Sequence, residues 1–224
     1  MQTPDPSATL WRDGAVPVSA RFDDPYYSLD NGLAETRHVF LDGNDLPARF
    51  REGFHIAELG FGTGLNMLTA LQAWRASGAT GPLRFTSFEA FPLPAADLSR
   101  ALASFPELGE LAAPLVTAWE RGETVIETGG LRAEVVIGDA RETLSAWNGA
   151  ADAWFLDGFS PAKNPELWEA PLLEQVARHT APGGTAATYT AAGFVRRNLA
   201  DAGFAVERRP GFGRKRHMTV ARLA

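Results

Sequence analysis

A glycine-rich segment at residues 58–66 (Glu-Leu-Gly-Phe-Gly-Thr-Gly-Leu-Asn) constrains the fold of this 224-residue chain more than any other feature. It follows an apolar run at 54–59 and precedes apolar residues spaced for one face of a helix: Leu65, Leu68, Leu71 and Trp74. A strand, a glycine turn and a helix in this order form the first unit of a doubly wound α/β fold. Because the turn brings backbone N–H groups and a helix N-terminus up to a ligand, the segment predicts a nucleotide site. A plain tight turn is the alternative.

The spacing of the glycines distinguishes between two nucleotide cofactors. Gly60, Gly62 and Gly64 form G-x-G-x-G, whereas the dinucleotide fingerprint G-x-G-x-x-G requires a glycine at position 65, which is leucine. This tighter spacing, with the acid Glu58 before the turn, favours S-adenosylmethionine over NAD. An NAD(P)-dependent oxidoreductase is therefore the weakest of the alternatives.

The composition is that of a soluble globular protein of one domain, or of one domain with an extension, and predicts a cytoplasmic location. No apolar run approaches the roughly 20 residues of a membrane span. The absence of cysteine excludes disulfides and thiolate chemistry, and the four histidines have no metal-ligand spacing. We therefore expect neither a metal nor a membrane partner.

The charge is distributed unevenly along the chain. The formal net charge is −6, but residues 196–224 contain eight Lys and Arg against two acids. A basic terminal segment on an acidic body is typical of a surface that binds a polyanion such as RNA. Charge asymmetry without a function is equally common.

The rest of the chain alternates between predicted strands and helices. Strands are predicted at 83–89, 132–137, 151–157, 185–189, 204–209 and 217–223, and Gly129-Gly130 predicts a hairpin with 124–127. Helices are predicted at 95–103, at 166–180 with a stop at 182–184, and after a Thr190 cap, while 107–121 is ambiguous. Residues 1–20 lack periodicity. Residues 1–50 are interpreted as an N-terminal extension that covers the ligand cleft or braces the sheet edge, followed by a catalytic domain at 51–224.

Acids end three of the later strands, where ligands of open α/β sheets bind. Glu89 follows the second strand and is placed to accept both ribose hydroxyls of a nucleoside. Asp139 is placed to accept the adenine amino hydrogens or to cap the next helix, and the two roles are compatible. Asp157 precedes a loop at 158–165 that contains Phe159 and Lys163 at the mouth of the cleft.

Six segments in order along the chain, at residues 22–28, 32–37, 58–66, 152–165, 187–197 and 211–216, resemble the tRNA 5-methylaminomethyl-2-thiouridine methyltransferase family. The resemblance implies a Rossmann-like class I fold with a seven-stranded, mostly parallel sheet and an antiparallel last strand. It implies methyl transfer from S-adenosylmethionine to the C5 aminomethyl amine of tRNA wobble uridine 34, with a separate enzyme supplying that precursor. The expected form is the stand-alone methyltransferase, without the flavin-dependent oxidase domain found in many bacteria.

The resemblance also assigns roles to individual residues. Asp157 is the candidate that orients and deprotonates the amine, with a structural role in the loop as the alternative. Phe159 is the candidate that stacks on the flipped uracil, with a role in the core as the alternative. The methionine part of the cofactor is assigned to Glu58, Gly60, Phe61, Gly62, Thr63, Gly64 and Asn66, the ribose to Glu89, and the adenine to Asp139 and Ala140. Asp157 is expected to contact the cofactor as well. Candidates for tRNA phosphates are Lys163, Arg196, Arg197, Arg214, Lys215 and Arg216.

Two further alternatives stay open beside this function. One is a methyltransferase of a small amine or carboxylate, against which the basic C-terminal segment counts. The other is an RNA-binding module that retains the fold without catalysis, against which the intact residues Glu58, Asp139 and Asp157 count.

Overall fold

A computed structural model describes residues 8–28 and 31–223, and the expectations for residues 1–7, 29–30 and 224 lie outside these ranges. The described residues form eleven strands in two sheets. The strands are β1 (Thr9–Arg12), β2 (Val16–Ser19), β3 (Asp24–Pro25), β4 (His55–Leu59), β5 (Leu83–Glu89), β6 (Val125–Thr128), β7 (Leu131–Ile137), β8 (Ala151–Leu156), β9 (Thr180–Thr188), β10 (Phe204–Pro210) and β11 (His217–Leu223).

Seven α-helices are assigned within the same ranges: α1 (Gly32–Thr36), α2 (Leu65–Ser77), α3 (Ala95–Leu102), α4 (Gly109–Glu120), α5 (Ala140–Ala146), α6 (Ala170–Arg178) and α7 (Gly193–Asp201). A π-helical turn at Arg37–Leu41 follows α1 directly, and short 3₁₀ turns occupy Asp42–Asn44, Pro106–Leu108 and Pro165–Trp168. The segment at 107–121, ambiguous in the sequence, is the helix α4.

The main sheet has the strand order β10-β11-β9-β8-β4-β5-β7-β6. The pairs β8–β9, β4–β8, β4–β5 and β5–β7 are parallel, whereas β11 is antiparallel to both of its neighbours. The class I fold with an antiparallel last strand is therefore confirmed. The hairpin partner β6 adds an eighth strand at the edge.

The core lies on both faces of this sheet. Neighbouring residues of β8 point to opposite sides, so that Phe155 packs in one apolar cluster and Trp154 in the other, and both are fully buried. Every residue of β4 is also buried. Helices cover each face, which explains why the central strands β4 and β8 are buried almost throughout.

Three local expectations are wrong. Residues 9–25 contain strands β1–β3, which pair as a small antiparallel sheet; the strands are too short, and β2 is buried along its whole length, so that no alternation marks them. The strand β9 begins at Thr180 and continues through the expected stop at 182–184, although α6 does end at Arg178. Ala192, rather than Thr190, is the N-cap of α7, and no side chain caps that helix.

Candidate active site

A cavity of about 620 Å³ lies at the carboxyl ends of the parallel strands, within the 300–1,000 Å³ typical of small-molecule sites. Its walls come from the segments that follow β4, β5, β7, β8, β9 and β10, together with residues ahead of β4. Nine of the residues predicted to bind cofactor contribute to its walls: Gly60, Phe61, Gly62, Thr63, Asn66, Glu89, Asp139, Ala140 and Asp157.

The glycine turn brings bare backbone to this cavity. Gly60 has φ +90°, and its N–H donates to the carbonyl of Phe88 at 2.9 Å. A Cβ on Gly60 would lie 2.7 Å from the carbonyl oxygen of Asp157. The turn and the end of β8 can therefore approach each other this closely only because residue 60 is glycine. Gly64 is the N-cap of α2 and does not line the cavity.

A polar network under the turn joins four side chains through Asn66. Its amide nitrogen donates to Glu58 Oε1 at 2.9 Å and to Asp157 Oδ2 at 2.7 Å, and its oxygen accepts from the Thr36 hydroxyl at 2.9 Å. Glu58 Oε2 accepts from the Ser87 hydroxyl at 2.7 Å. All the hydrogen-bonding groups of the Asn66 side chain are therefore used, and its orientation is determined by its neighbours.

Glu58 lies behind the cavity rather than in its wall. The side chain is fully buried, and this burial raises the pKa of its carboxyl well above the usual range. Its polar partners are Asn66 and Ser87. The structure therefore does not place Glu58 against a ligand, and its connection to the site runs through Asn66.

Asp157 combines burial with access to the cavity. The pKa of its carboxyl is raised to about 7, mainly by burial and also by the negative charge of Glu35, while the hydrogen bond from Asn66 and the positive charge of Lys215 oppose the rise. A carboxylate of this kind changes its protonation state near neutral pH, where a general base is most effective.

The acids after β5 and β7 have protein partners of their own. Glu89 accepts from the backbone N–H of Gly62 at 3.0 Å and of Phe91 at 2.7 Å, and burial raises the pKa of its carboxyl. Asp139 caps α5 by accepting from the Arg141 N–H at 2.9 Å, and its side-chain hydrogen bonds with Arg141 lower the pKa of its carboxyl. Both residues line the cavity.

Residues ahead of β4 complete the rim. The Phe22 ring stacks on Phe159 with centroids 4.8 Å apart, and the Tyr26 ring meets Phe159 edge-on at 5.1 Å. Asp24 Oδ2 accepts from the backbone N–H of Ser160 at 2.8 Å. The rings of Phe22 and Tyr26 are thus packed on the loop after β8, which contains Phe159.

The six cations predicted to contact tRNA lie in different settings. Lys163 Nζ contacts the backbone carbonyl and the carboxylate of Asp23 and lies 3.8 Å from Asp24 Oδ1. Lys215 Nζ lies 2.7 Å from Glu35 Oε1. Arg214 and Lys215 line the cavity, whereas the other four cations do not. Arg197 and Arg216 are exposed, and Arg196 is half-buried with a bond to the Ala191 carbonyl.

Glu35, Tyr189 and Tyr26 are among the cavity residues to which the sequence assigned no role. Glu35 and Tyr189 line the wall near Asp157, and Tyr26 lies at the rim, where burial raises the pKa of its phenol to about 12. All three belong to the motif segments at 22–28, 32–37 and 187–197, and this membership could have identified them as candidates. The sequence does not bring them together because they come from distant parts of the chain.

Comparison with known proteins decides the family. A model described as "S-adenosyl-L-methionine-dependent methyltransferase" matches residues 106–224, which is more than half of the chain. The chain belongs to this family. S-adenosylmethionine is the methyl donor of this methyltransferase.

The methyltransferase is similar to longer bacterial proteins. It is 49% identical, over 99% of its length, to the "tRNA 5-methylaminomethyl-2-thiouridine biosynthesis bifunctional protein MnmC" of Caulobacter sp. (strain K31), and 46% identical, over 98%, to the protein of that name from Marinobacter nauticus. It spans 39% and 37% of the length of these two relatives. The crystal structure of MNMC2 from Aquifex aeolicus superposes with a TM-score of 0.77 and 28% identity, covering 98% of this chain and 72% of that one.

The cavity of the methyltransferase fits this donor. The Gly60 turn leaves backbone rather than side chain at the wall, Glu89 and Asp139 provide acceptors at the ends of β5 and β7, and Phe61 and Ala140 provide apolar surface. Within 8–28 and 31–223, no three His, Asp or Glu side chains are grouped to hold a metal ion. The helices of these ranges include none with the length and apolarity needed to cross a bilayer.

Asn66→Ala is expected to lower the free energy of unfolding and to shift the pH–rate profile. Two buried carboxylates lose their amide donor, and each unsatisfied group costs about 1–3 kcal/mol. Because the Asn66 hydrogen bond lowers the pKa of Asp157, its removal raises that pKa further, and activity then requires a higher pH. Denaturant unfolding and the pH dependence of methyl transfer check both effects.

Asn198→Ala is the matched control for this variant, since its amide makes one bond, to the Trp168 carbonyl at 2.9 Å. We expect a smaller loss of stability and an unchanged pH midpoint. A pH–rate midpoint that stays in place or moves to lower pH in Asn66→Ala would contradict the proposed influence of Asn66 on Asp157.

Proposed function

We propose that this methyltransferase methylates the primary amine of a C5 aminomethyl group on the wobble uridine of tRNA, producing 5-methylaminomethyl-uridine or its 2-thio form. The observation that carries the proposal is Asp157, a carboxylate with a pKa of about 7 held by Asn66 in the wall of the cavity. The names of the two bacterial relatives, which include tRNA 5-methylaminomethyl-2-thiouridine biosynthesis, support the same acceptor.

The acceptor amine must be neutral to react, because the lone pair of its nitrogen forms the new bond. When bound, S-adenosylmethionine supplies an electrophilic methyl group on a sulfonium centre. An alkylamine with a pKa of about 10.4 is neutral in roughly one molecule in a thousand near pH 7, which corresponds to about 4 kcal/mol. The cavity has to reduce this cost.

Asp157 and the aromatic rim reduce it in different ways. The carboxylate of Asp157 receives the proton from the ammonium and returns it to solvent after the transfer. The rings of Phe22, Tyr26 and Phe159 remove water from the amine, which favours its neutral form. Because Phe22 covers one face of Phe159, a flipped uracil would stack on the other face or displace Phe22.

Contacts to the cofactor follow from the cavity walls. We assign the ribose to Glu89, the adenine to Asp139 and Ala140, and the methionine part to Gly60, Gly62 and Asn66, with Glu58 positioning Asn66 from behind. Phe61 and Thr63 complete the turn, and Gly64 sets the start of α2. The assignments of direct contacts are based on the residues that line the cavity.

The tRNA phosphates are assigned mainly to exposed cations. The exposed Arg197 and Arg216 are the first choices, followed by the half-buried Arg196 and by Arg214 where the loop meets the cavity. Lys163 and Lys215 can contact a phosphate only after their ion pairs with Asp23, Asp24 and Glu35 break. The contacts of Phe22 with Phe159 and of Asp24 with Ser160 support the assignment of residues 1–50 as an extension that covers the cleft. A tRNA acceptor implies a cytoplasmic enzyme that follows a separate activity supplying the aminomethyl group.

Labelled S-adenosylmethionine tests the function directly. Incubation with tRNA that carries 5-aminomethyl-uridine is expected to place the label in 5-methylaminomethyl-uridine, as measured by nucleoside analysis. The controls are tRNA without the aminomethyl group and tRNA already methylated, neither of which should accept label. If the enzyme binds the cofactor but leaves the aminomethyl tRNA unlabelled, the tRNA function is wrong and a small-molecule amine becomes the acceptor to search for.

A further inference from the structure

The ε-ammonium of Lys215 occupies a defined recess in the cavity wall. Its Nζ lies 2.7 Å from Glu35 Oε1 and 4.1 Å from the centroid of the Tyr189 ring. A carboxylate on one side and an aromatic face on the other are the two groups that bind a primary ammonium most directly. The recess therefore contains both groups that bind an alkylammonium, and the side chain of Lys215 fills it.

The two walls of this recess are more firmly held than the cation inside it. The Glu35 side chain is only 11% exposed, and the Tyr189 hydroxyl donates to the Gly158 carbonyl at 2.8 Å, which fixes the ring. The Lys215 side chain is 45% exposed and comes from the loop between β10 and β11. The lysine can therefore leave while the carboxylate and the ring stay in place.

The recess also adjoins the proposed base. Tyr189 is hydrogen-bonded to Gly158, which directly follows Asp157 in the chain. Glu35 directly precedes Thr36, which is hydrogen-bonded to Asn66. All three residues of the recess line the cavity with Asp157. The charges of Glu35 and Lys215 both influence the pKa of Asp157, which is consistent with a short separation.

We propose that Glu35 and Tyr189 form the recognition site for the protonated amine of the acceptor, and that Lys215 holds this site as a stand-in cation until the acceptor replaces it. The proposal rests on the proposed function for the identity of the acceptor, a primary alkylammonium. The exchange substitutes one ammonium for another, so that the mostly buried Glu35 carboxylate keeps a counter-charge throughout and avoids the cost of an unpaired buried ion.

The exchange also gives Lys215 a second position. Once displaced, its ammonium is free to contact a phosphate of the RNA that delivered the acceptor, in line with its place in the basic loop at 211–216. Acceptor binding and phosphate binding then support each other through one side chain. A neutral or anionic group at the same position of the uridine would not replace Lys215, so that the site selects for the amine.

Binding of propylammonium, without any RNA, tests the recess by itself. If Lys215 fills the site in about nine molecules of ten, then Lys215→Met raises the apparent affinity for propylammonium about tenfold over the wild type. The double variant Glu35→Gln/Lys215→Met is expected to lose that gain. NMR titration of labelled propylammonium measures all three proteins, and binding of S-adenosylhomocysteine confirms that each is folded.

Arg222→Met is the matched control for the change in charge. Arg222 also makes an ion pair, with Asp45 at 3.0 Å, but it does not line the cavity. We expect its affinity for propylammonium to stay within about twofold of the wild type, because removing a remote exposed charge has little effect. An equal gain in Arg222→Met and Lys215→Met would overturn the proposal, as would equal affinities in Lys215→Met and the wild type.

The outcomes separate this site from the tRNA function. If the wild type methylates aminomethyl tRNA but Lys215→Met gains no affinity for propylammonium, the recess proposal is wrong and the function stands. If the affinities follow the expected order but tRNA accepts no label, the ammonium site stands and the acceptor is a different primary amine.

Discussion

Asp157→Asn is expected to slow methyl transfer by about 10²–10⁴-fold, the range typical for loss of a general base. The amide replaces the carboxylate at equal size, and its oxygen can still accept the hydrogen bond that Asn66 donates to Asp157 Oδ2. The substitution therefore removes the proton acceptor while it preserves the local packing. Single-turnover rates with aminomethyl tRNA measure the loss.

The pH dependence of the rate provides a second readout. Burial raises the pKa of Asp157 to about 7, and the base is active only when deprotonated. The wild-type rate should therefore rise as the pH increases through about 7, and this rise should be absent from Asp157→Asn. S-adenosylhomocysteine should bind both proteins with similar affinity.

Two results would contradict the role of Asp157 as a base. One is a variant rate within about tenfold of the wild type, since general-base catalysis contributes more than that. The other is a lower affinity for S-adenosylhomocysteine that accounts for the whole loss of activity. In that case Asp157 would serve the cofactor rather than the amine.

Gly60→Ala is expected to cause the largest loss of stability and of cofactor affinity among single methyl additions to the turn. The new Cβ would lie 2.7 Å from the Asp157 carbonyl oxygen, and residue 60 has φ +90°. The left-handed backbone costs about 1–2 kcal/mol for a residue with a Cβ. The clash adds about 1–3 kcal/mol, because the close neighbour is backbone that cannot turn aside.

Gly122→Ala is the matched control for this substitution. Gly122 has φ +71°, but a Cβ there would meet no atom within 4 Å. It should therefore lose only the backbone contribution of about 1–2 kcal/mol and retain cofactor binding. Denaturant unfolding and S-adenosylhomocysteine titration measure both variants. Equal losses in the two variants would mean that the contact between Gly60 and the end of β8 does not constrain the turn.

The order of elements around the turn could be predicted from the sequence because each depends on local patterns. The strand at 83–89 has the predicted bounds, and the hairpin around Gly129-Gly130 and the helix that begins at Leu65 are also present. These elements are specified by apolar periodicity and by glycine. Residues 9–25 were missed because strands of two to four residues are too short to establish a period.

The sequence also predicts some features of the candidate site and not others. Glu89, Asp139 and Asp157 could be placed at one edge from the sequence, since parallel strands bring their carboxyl ends together. Whether each acid faces the ligand could not be predicted. Glu58 precedes the turn just as a ligand-binding acid would, yet its side chain is fully buried behind Asn66.

The sequence by itself determined the doubly wound α/β fold, the preference for S-adenosylmethionine over NAD and the strand edge at which the cavity forms, because apolar periodicity and turn residues act over short stretches of chain. The class I fold was implied by the resemblance of six motif segments to a known family. Only the tertiary structure decided which side chains meet. Glu35 and Lys215 are 180 residues apart, and Asn66 bonds to Asp157 across 91 residues. Such pairs depend on how helices and loops pack on the finished sheet, and it is this packing that buries Asp157 and raises its pKa towards neutrality.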